Sequence, residues 1–204
     1  MRWYTSDHHF GHFNIIGYSN RPFISTAEMD QTMVERWNDV VGDADEVWIL
    51  GDLVMGKRKR GLGKYVAKLK GRKIFVPGNH DRCWQGHKGF KTKRVDFYEI
   101  GLIHEIIDNP EAHTVAGRRV LLSHFPYRQG LTYQEKFAEW RPIDTGDWLL
   151  HGHVHASWQQ QGQQINVGVD AWNFAPVSED SIAAMIQAGA AEVPCLKHVL
   201  AHKT

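Results

Sequence analysis

The stretch YTSDHHFGH (4–12) sets His8, His9 and His12, three of the chain's 13 histidines, within five positions and beside Asp7. Carboxylate and imidazole groups at that density bind metal or move protons. Asp7 and His9 are two apart, a spacing that turns both to one side of an extended chain. The same spacing recurs at His153 and His155 in HGHVH (151–155). Three further groups follow short apolar runs: Asp52 in LGD, Asn79 in PGNHD and His124 in LLSHFP. Asp52 has two oxygens able to bridge two cations, and Asn79 offers a neutral amide oxygen. Seven donors exceed what one divalent ion uses while keeping an open position, so the set points to two metals.

Two divalent cations ~3.5–4 Å apart repel by roughly 19 kcal/mol at an effective dielectric near ~20, so anions must lie between them. Asp52 and a bridging hydroxide suit that place, because metal coordination brings the pKa of water from ~15.7 toward ~7. The chemistry this favours is attack of a metal-bridged hydroxide on phosphorus. The oxygens of a phosphate ester complete the metal shells better than an amide would. Oxygen and imidazole donors without thiolate favour Mn²⁺, Fe, Co²⁺, Ni²⁺ or Zn²⁺.

Such side chains meet only if rigid elements bring them to one place. RWYTS (2–6), EVWILGD (46–52), KIFVPGNHD (73–81), RRVLLSH (118–124), DWLLHGHVH (147–155) and QQINVGVD (163–170) read as buried strands, most with polar groups at their C-terminal ends. LIHEII (102–107) reads as another, and Ala116-Gly117 suits a hairpin turn. Helices are predicted over 25–41, where Ser25 stands three residues before Glu28, over 62–71, and over 178–189 with Ser178 as cap. Early helices alternate with strands and later strands follow one another, which predicts an α/β core with a mixed sheet or two packed sheets. Strand ends along one edge of a sheet are where distant residues converge.

The 204 residues suit one domain, 1–204, with 42% hydrophobic and 23% charged residues typical of a soluble globular chain. A net charge of +1 does not point to nucleic acid or membrane. Yet GKRKRGLGKYVAKLKGRK (56–73) carries nine Lys or Arg and no acid, either a solvated face or a patch that attracts phosphate. Two distant cysteines, Cys83 and Cys195, without CxxC spacing, suit a reducing cytoplasm. No secretory signal and no membrane span are expected.

The ordered set SDHH, LGD, PGNHD, LLSHFP and HGHVH resembles the calcineurin-like metallophosphoesterases, and FGHFNIIGYSNRPF, VERWNDVV and INVGVDAWNFAPVS resemble a compact bacterial and phage branch of them. The resemblance implies a four-layer sandwich, two mixed β-sheets flanked by helices, with a dinuclear centre at the strand ends. It implies that Asp7, His9 and His155 hold one metal, that Asn79, His124 and His153 hold the other, and that Asp52 bridges. Mn²⁺ is the first metal to assay. His80 lies by the scissile phosphate as general acid or as stabiliser of transition-state charge, and Asp81 would orient its ring and raise its pKa. One departure stands out: GDLVMGKR replaces the Asp-Arg-Gly run of the protein-phosphatase branch, which argues against phosphoprotein substrates. Phosphate-gripping candidates are His12, Asn14 and Arg21 after the first ligand pair, and Tyr127 and Arg128 after His124. His8 reads as a supporting or exposed residue. The expected activity is phosphodiester hydrolysis on small nucleotides, 2′,3′-cyclic ones included. Cleavage of longer nucleic acid, phosphomonoester hydrolysis and a non-catalytic binding role are the alternatives.

Overall fold

The computed structural model describes residues 1–55, 57–108, 111–128 and 136–195. Part of the basic run (Gly56) and of the C-terminal tail (196–204) lie outside them. Along the chain the elements are β1 (Arg2–Thr5), α1 (Phe13–Tyr18), α2 (Thr26–Val40), β2 (Glu46–Ile49), α3 (Arg58–Lys64), β3 (Arg72–Phe75), α4 (Phe90–Glu99) and β4 (Glu105–Ile106). They continue with β5 (Glu111–Val115), β6 (Arg118–Leu122), β7 (Trp148–His151), β8 (Gln160–Gly162), β9 (Gln164–Asn166), β10 (Val177–Ser178), α5 (Glu179–Ala188) and β11 (Ala191–Val193).

Two mixed sheets result. The first has the order β10-β1-β2-β3-β4, with β1 to β4 parallel and β10 antiparallel to β1. The second runs β11-β8-β9-β7-β6-β5, parallel through β6, β7 and β9 and antiparallel outside them. Strand alternation sorts the core. Val47 and Ile49 face Met29, Met33, Val34 and Trp37 of α2, whereas Trp48 and Leu50 turn toward Val120, Leu122 and Leu150 of the second sheet. α5 adds Ile182 and Ile186 to that layer between the sheets. This is the α/β arrangement of two mixed sheets with flanking helices that the resemblance implies.

Local signals act largely as the sequence predicts. The Ser25 hydroxyl accepts the Glu28 amide at 3.1 Å, while the Glu28 carboxylate takes the Ile24 amide at 2.9 Å. The Ser178 hydroxyl accepts the Ser181 amide at 3.2 Å. At the β5–β6 hairpin Ala116 and Gly117 take φ of 49° and 72°, the left-handed pair that a two-residue turn between twisted strands requires.

Three expectations change. The helix predicted over 62–71 begins earlier, as α3, and gives way to a 3₁₀ turn at Val66–Lys68. Gly61 and Gly63 weaken a regular helix, and the break at Tyr65 still buries Leu62, Tyr65, Val66 and Leu69 in one core. The strand at 163–170 stops at Asn166, because Gly168 and a 3₁₀ turn at Val169–Ala171 bend the chain against the end of β1, where the Val169 amide donates to the Ser6 carbonyl. LIHEII supplies only the two-residue β4, and α4 occupies a stretch to which the sequence assigned nothing. Among the described residues no helix is long and apolar enough to cross a membrane.

Leu150 is fully buried between the sheets. Leu150→Ala should lower stability by about 2–5 kcal/mol, read as a lower urea midpoint with an unchanged slope.

Candidate metal centre and active site

The strands stop just short of the chemistry. β1 ends at Thr5 with Asp7 two residues on, β2 at Ile49 with Asp52 three on, and β3 at Phe75 with Asn79 four on. β6 and β7 end two residues before His124 and His153. Within each sheet these ends lie on one side, because the strands that carry them are parallel, and the parallel bridge between Ser6 and Gly168 joins the ends of the two sheets. The ligand-bearing residues then turn sharply. Asp7, His9, Asp52, His153 and His155 all take φ between 48° and 72°, a region that L-residues occupy at a cost of roughly 1–2 kcal/mol each. Asp7 and His9 therefore do not share a side through strand alternation, as their spacing suggested. Two left-handed residues in a tight loop aim them together.

Neighbouring glycines make the crowding possible. A Cβ on Gly152 would lie 2.0 Å from Ser6 Oγ and 2.4 Å from Asp7 Oδ2. One on Gly78 would lie 2.4 Å from Asp52 Oδ1. The glycines of HGHVH and PGNHD thus let neighbouring segments close over the two carboxylates.

Donor atoms of Asp7, His9 and His155 lie within 4.8 Å of one another, and so do those of Asp7, Asp52 and His124. Asp52 Oδ1 accepts the His80 amide at 2.9 Å. Its Oδ2 sits 3.6 Å from His9 Nε2 and 3.5 Å from His124 Nε2. His124 Nδ1 donates to the Leu50 carbonyl at 2.8 Å, which leaves Nε2 facing Asp52 and the Asn79 amide oxygen, 3.2 Å away. The His153 ring lies 5.2 Å from that of His124, and its amide donates to Asp7 Oδ2 at 2.9 Å. Six of the seven expected ligands are thus tied to one another by atom-to-atom distances, and the His153 ring adjoins them. Asp7 stands in both groups, so two carboxylates lie where the sequence reading placed one bridge.

The electrostatics call for cations. Asp7 and Asp52 are almost wholly buried; burial and the Asp7 charge push Asp52 up to about 8. Burial holds His9 well below its usual value and brings His153 to about 2, so their ring lone pairs stay available. His155 runs the other way: burial opposes protonation, but Asp7 and Asp170 outweigh it. Among the described residues, Asp7 Oδ1 and both ring nitrogens of His9 are buried with no hydrogen-bond partner. Orphaned oxygen and imidazole atoms in the loop after β1, beside donors that follow β2, β6 and β7, are a set that a divalent transition metal fits.

A second layer of contacts holds the ligands still. His155 Nδ1 lies 3.3 Å from Asp170 Oδ2, and Asp170 receives Arg21 in a two-point contact at 2.8 and 2.9 Å. Arg21 also donates to the carbonyls of Asp7 and His8 at 2.7 and 3.0 Å. Burial pushes Asp170 up, yet the guanidinium and His155 hold it at about 2. Asp170 had no assigned role in the sequence; an aspartate inside the apolar run VGVD was the available signal.

Several expected roles need correction. Arg21 is buried and committed to Asp170, so it cannot grip a substrate. Asp81 does not orient His80: its buried carboxylate accepts the amides of Asp52 (2.6 Å), Leu53 (3.0 Å) and Gly78 (2.8 Å). The carboxylate therefore locks the Asp52 turn to the Asn79 loop. Tyr127 is buried and donates to the Asp147 carbonyl, at the far end of β7 from the candidate metal ligands. Arg128 gives its amide to Pro142, and Asn14 sits on the exposed side of α1; neither lines the cleft. His8 is buried against Phe10 and Trp37 rather than exposed. Only His12 of the five phosphate candidates borders the cleft.

That cleft, about 670 Å³, is bordered by His9, His12, Tyr18, His80, His153 and His155. His80 is exposed to it while the metal-binding candidates behind are buried or half-buried. Tyr18, at its mouth, was not singled out by the sequence.

Comparison with known proteins agrees with this geometry. Residues 3–175 match the family described as Calcineurin-like phosphoesterase. An uncharacterized protein of Methanocaldococcus jannaschii is 34% identical over 192 residues, covering 90% of each chain. The Gene 66 protein of Mycobacterium phage L5 is 34% identical over 195 residues, covering 90% of this chain and 93% of its own. A solved structure of a protein of unknown function from Aquifex aeolicus aligns with a TM-score of 0.64 and 27% identity, over 91% of this chain and 98% of that one.

Removing the anion between Arg21 and His155 tests the supporting layer. Asp170→Asn should cost about 3–5 kcal/mol at neutral pH, because a buried guanidinium loses its partner. A carboxyl lowered from ~3.9 stabilises the fold above that value and loses its effect as pH falls toward about 2. Wild-type stability should therefore fall more steeply than that of the variant between pH ~4 and ~2, measured by urea unfolding at each pH.

Proposed function

Because the chain belongs to the calcineurin-like phosphoesterase family, we propose that it is a metal-dependent phosphodiesterase acting on small nucleotide esters. Phosphoester hydrolysis is the family's chemistry; the diester preference, the two-cation centre and Mn²⁺ are our reading. The observation that carries it is the placement of Asp52: one oxygen anchored by the His80 amide, the other between His9 and His124.

Asp7, His9 and His155 would hold one cation and Asn79, His124 and His153 the other, with Asp52 between them and Asp7 within reach of both groups. Bound cations supply Lewis acidity toward phosphate oxygens and lower the pKa of water. The chain's own residues do the rest. Asp170 and Arg21 fix the His155 ring, and Leu50 fixes the tautomer of His124. Burial and the surrounding histidines keep the His80 imidazole below its usual pKa. A neutral ring still offers one N–H donor. This favours His80 as a hydrogen-bond donor to charge developing on a phosphate oxygen over a pre-protonated acid. The cleft's volume is on the scale of small-molecule sites, ~300–1,000 Å³, which supports a nucleotide rather than a folded protein as substrate.

Purified protein with Mn²⁺ should hydrolyse bis-p-nitrophenyl phosphate. Absence of turnover with each of Mn²⁺, Co²⁺, Ni²⁺ and Zn²⁺ would instead leave a binding protein. Two substitutions separate the roles. His80→Ala should lower kcat by about 10²–10³-fold, the scale of one lost transition-state donor, with full metal content by elemental analysis. Asp52→Asn should lose both activity and metal. Metal depletion in the first or full occupancy in the second contradicts the assignment.

A further inference from the structure

Seven of the nine basic residues in the run fall into two groups. Lys59 pairs with Asp96 at 3.3 Å, Lys70 donates to the Asn38 carbonyl, Arg72 meets Glu105, and Lys73 is buried against the Leu69 carbonyl. Lys57, Arg60 and Lys64 instead line one pocket of about 250 Å³, walled by Gly11, Asp30 and Tyr65. This pocket is separate from the metal cleft but shares a wall with it. His9 and His12 face the cleft, and Gly11 between them faces the pocket. Gly11 is two residues from His9, so these backbone positions of the shared wall are at most ~7.6 Å apart.

The wall is fixed in place. The amide of Gly11 donates to both oxygens of Asp30, at 3.1 and 3.0 Å, and Asp30 is 1% exposed. The Met55 amide donates to the Phe10 carbonyl at 2.9 Å, so the loop after β1 and the segment after Asp52 run side by side into the pocket. Three cations face one carboxylate there, and both oxygens of that carboxylate are engaged.

We propose that this pocket is a second phosphate subsite, which receives a phosphate one link away from the phosphate being cleaved. The proposal rests on the hydrolase reading and narrows it. Preferred substrates are diesters that carry a further phosphate, such as a 5′-phosphorylated dinucleotide, ahead of cyclic mononucleotides that carry only one. Lys64 Nζ, 4.9 Å from the Tyr65 ring centroid, is held over an aromatic face at the pocket's edge.

The test compares the dinucleotides TpT and pTpT in the full-length protein, wild type against the triple variant Lys57→Ala, Arg60→Ala, Lys64→Ala and the single variant Lys64→Gln. With Mn²⁺, wild type should show a KM for pTpT about tenfold below that for TpT, the scale of one charge-assisted contact. The triple variant should lose that preference and Lys64→Gln should lose part of it, while both hydrolyse bis-p-nitrophenyl phosphate normally. Fluorescence anisotropy on EDTA-treated protein reads the same difference as binding of labelled pTpT and TpT without turnover. Equal handling of TpT and pTpT by wild type overturns the proposal, as does a triple variant that weakens both alike, which would mark a general charge field. If no metal supports any turnover, the hydrolase reading fails. The anisotropy measurement then still decides the pocket: a pTpT preference that the triple variant abolishes upholds the subsite, and equal binding removes it.

Discussion

Two carboxylates buried side by side govern this structure. Asp7 and Asp52 follow adjacent parallel strands, lie almost entirely out of water and sit among imidazoles, of which His9 and His153 are kept neutral by burial. Without cations one of them is driven toward protonation, which is the meaning of an Asp52 pKa near 8. With cations the same burial becomes an asset, because low dielectric strengthens every contact a metal makes. The buried pair and the imidazoles around it are thus an arrangement that suits a cation.

The surrounding scaffold meets the demands of that pair. Five ligand-bearing residues sit in left-handed backbone conformations, and strain of this kind persists only where neighbours over-determine it. Here the neighbours are visible. Asp81 gathers three amides across two loops, Gly78 and Gly152 yield the space a side chain would fill, and Arg21 ties the Asp7 turn to Asp170 and so to His155. The inter-sheet core lies just beneath, with Leu50 and Leu150 directly preceding the turns that carry Asp52 and His153. Stability and ligand geometry are consequently hard to separate in this fold.

Outside the metal centre, the surface has two features of different character. The cleft is imidazole-rich and edged by the exposed ring of Tyr18, whereas the pocket behind Gly11 is cationic. A single loop, His9 to His12, separates them.

Read alone, the sequence determined which residue types recur after apolar runs, and that was enough to single out the Asp, Asn and His residues that the fold brings together, the α/β class, the caps at Ser25 and Ser178 and the hairpin at Ala116-Gly117; the two mixed sheets followed from the family resemblance. These are local properties: strand ends, cap spacing and turn chemistry are written in neighbouring residues. Tertiary structure alone decided what the remaining polar residues do. Arg21 and Tyr127 had the right chemistry to touch a substrate and Asp81 the right chemistry to orient His80, but each is buried with partners far away in the chain, Asp170, Asp147 and the Asp52 turn. Asp170, unremarkable in its own stretch, became the anchor of His155 because a 3₁₀ turn carries it under another strand's end. A side chain's neighbours at distant chain positions depend on how the sheets pack, and no spacing within the sequence encodes that.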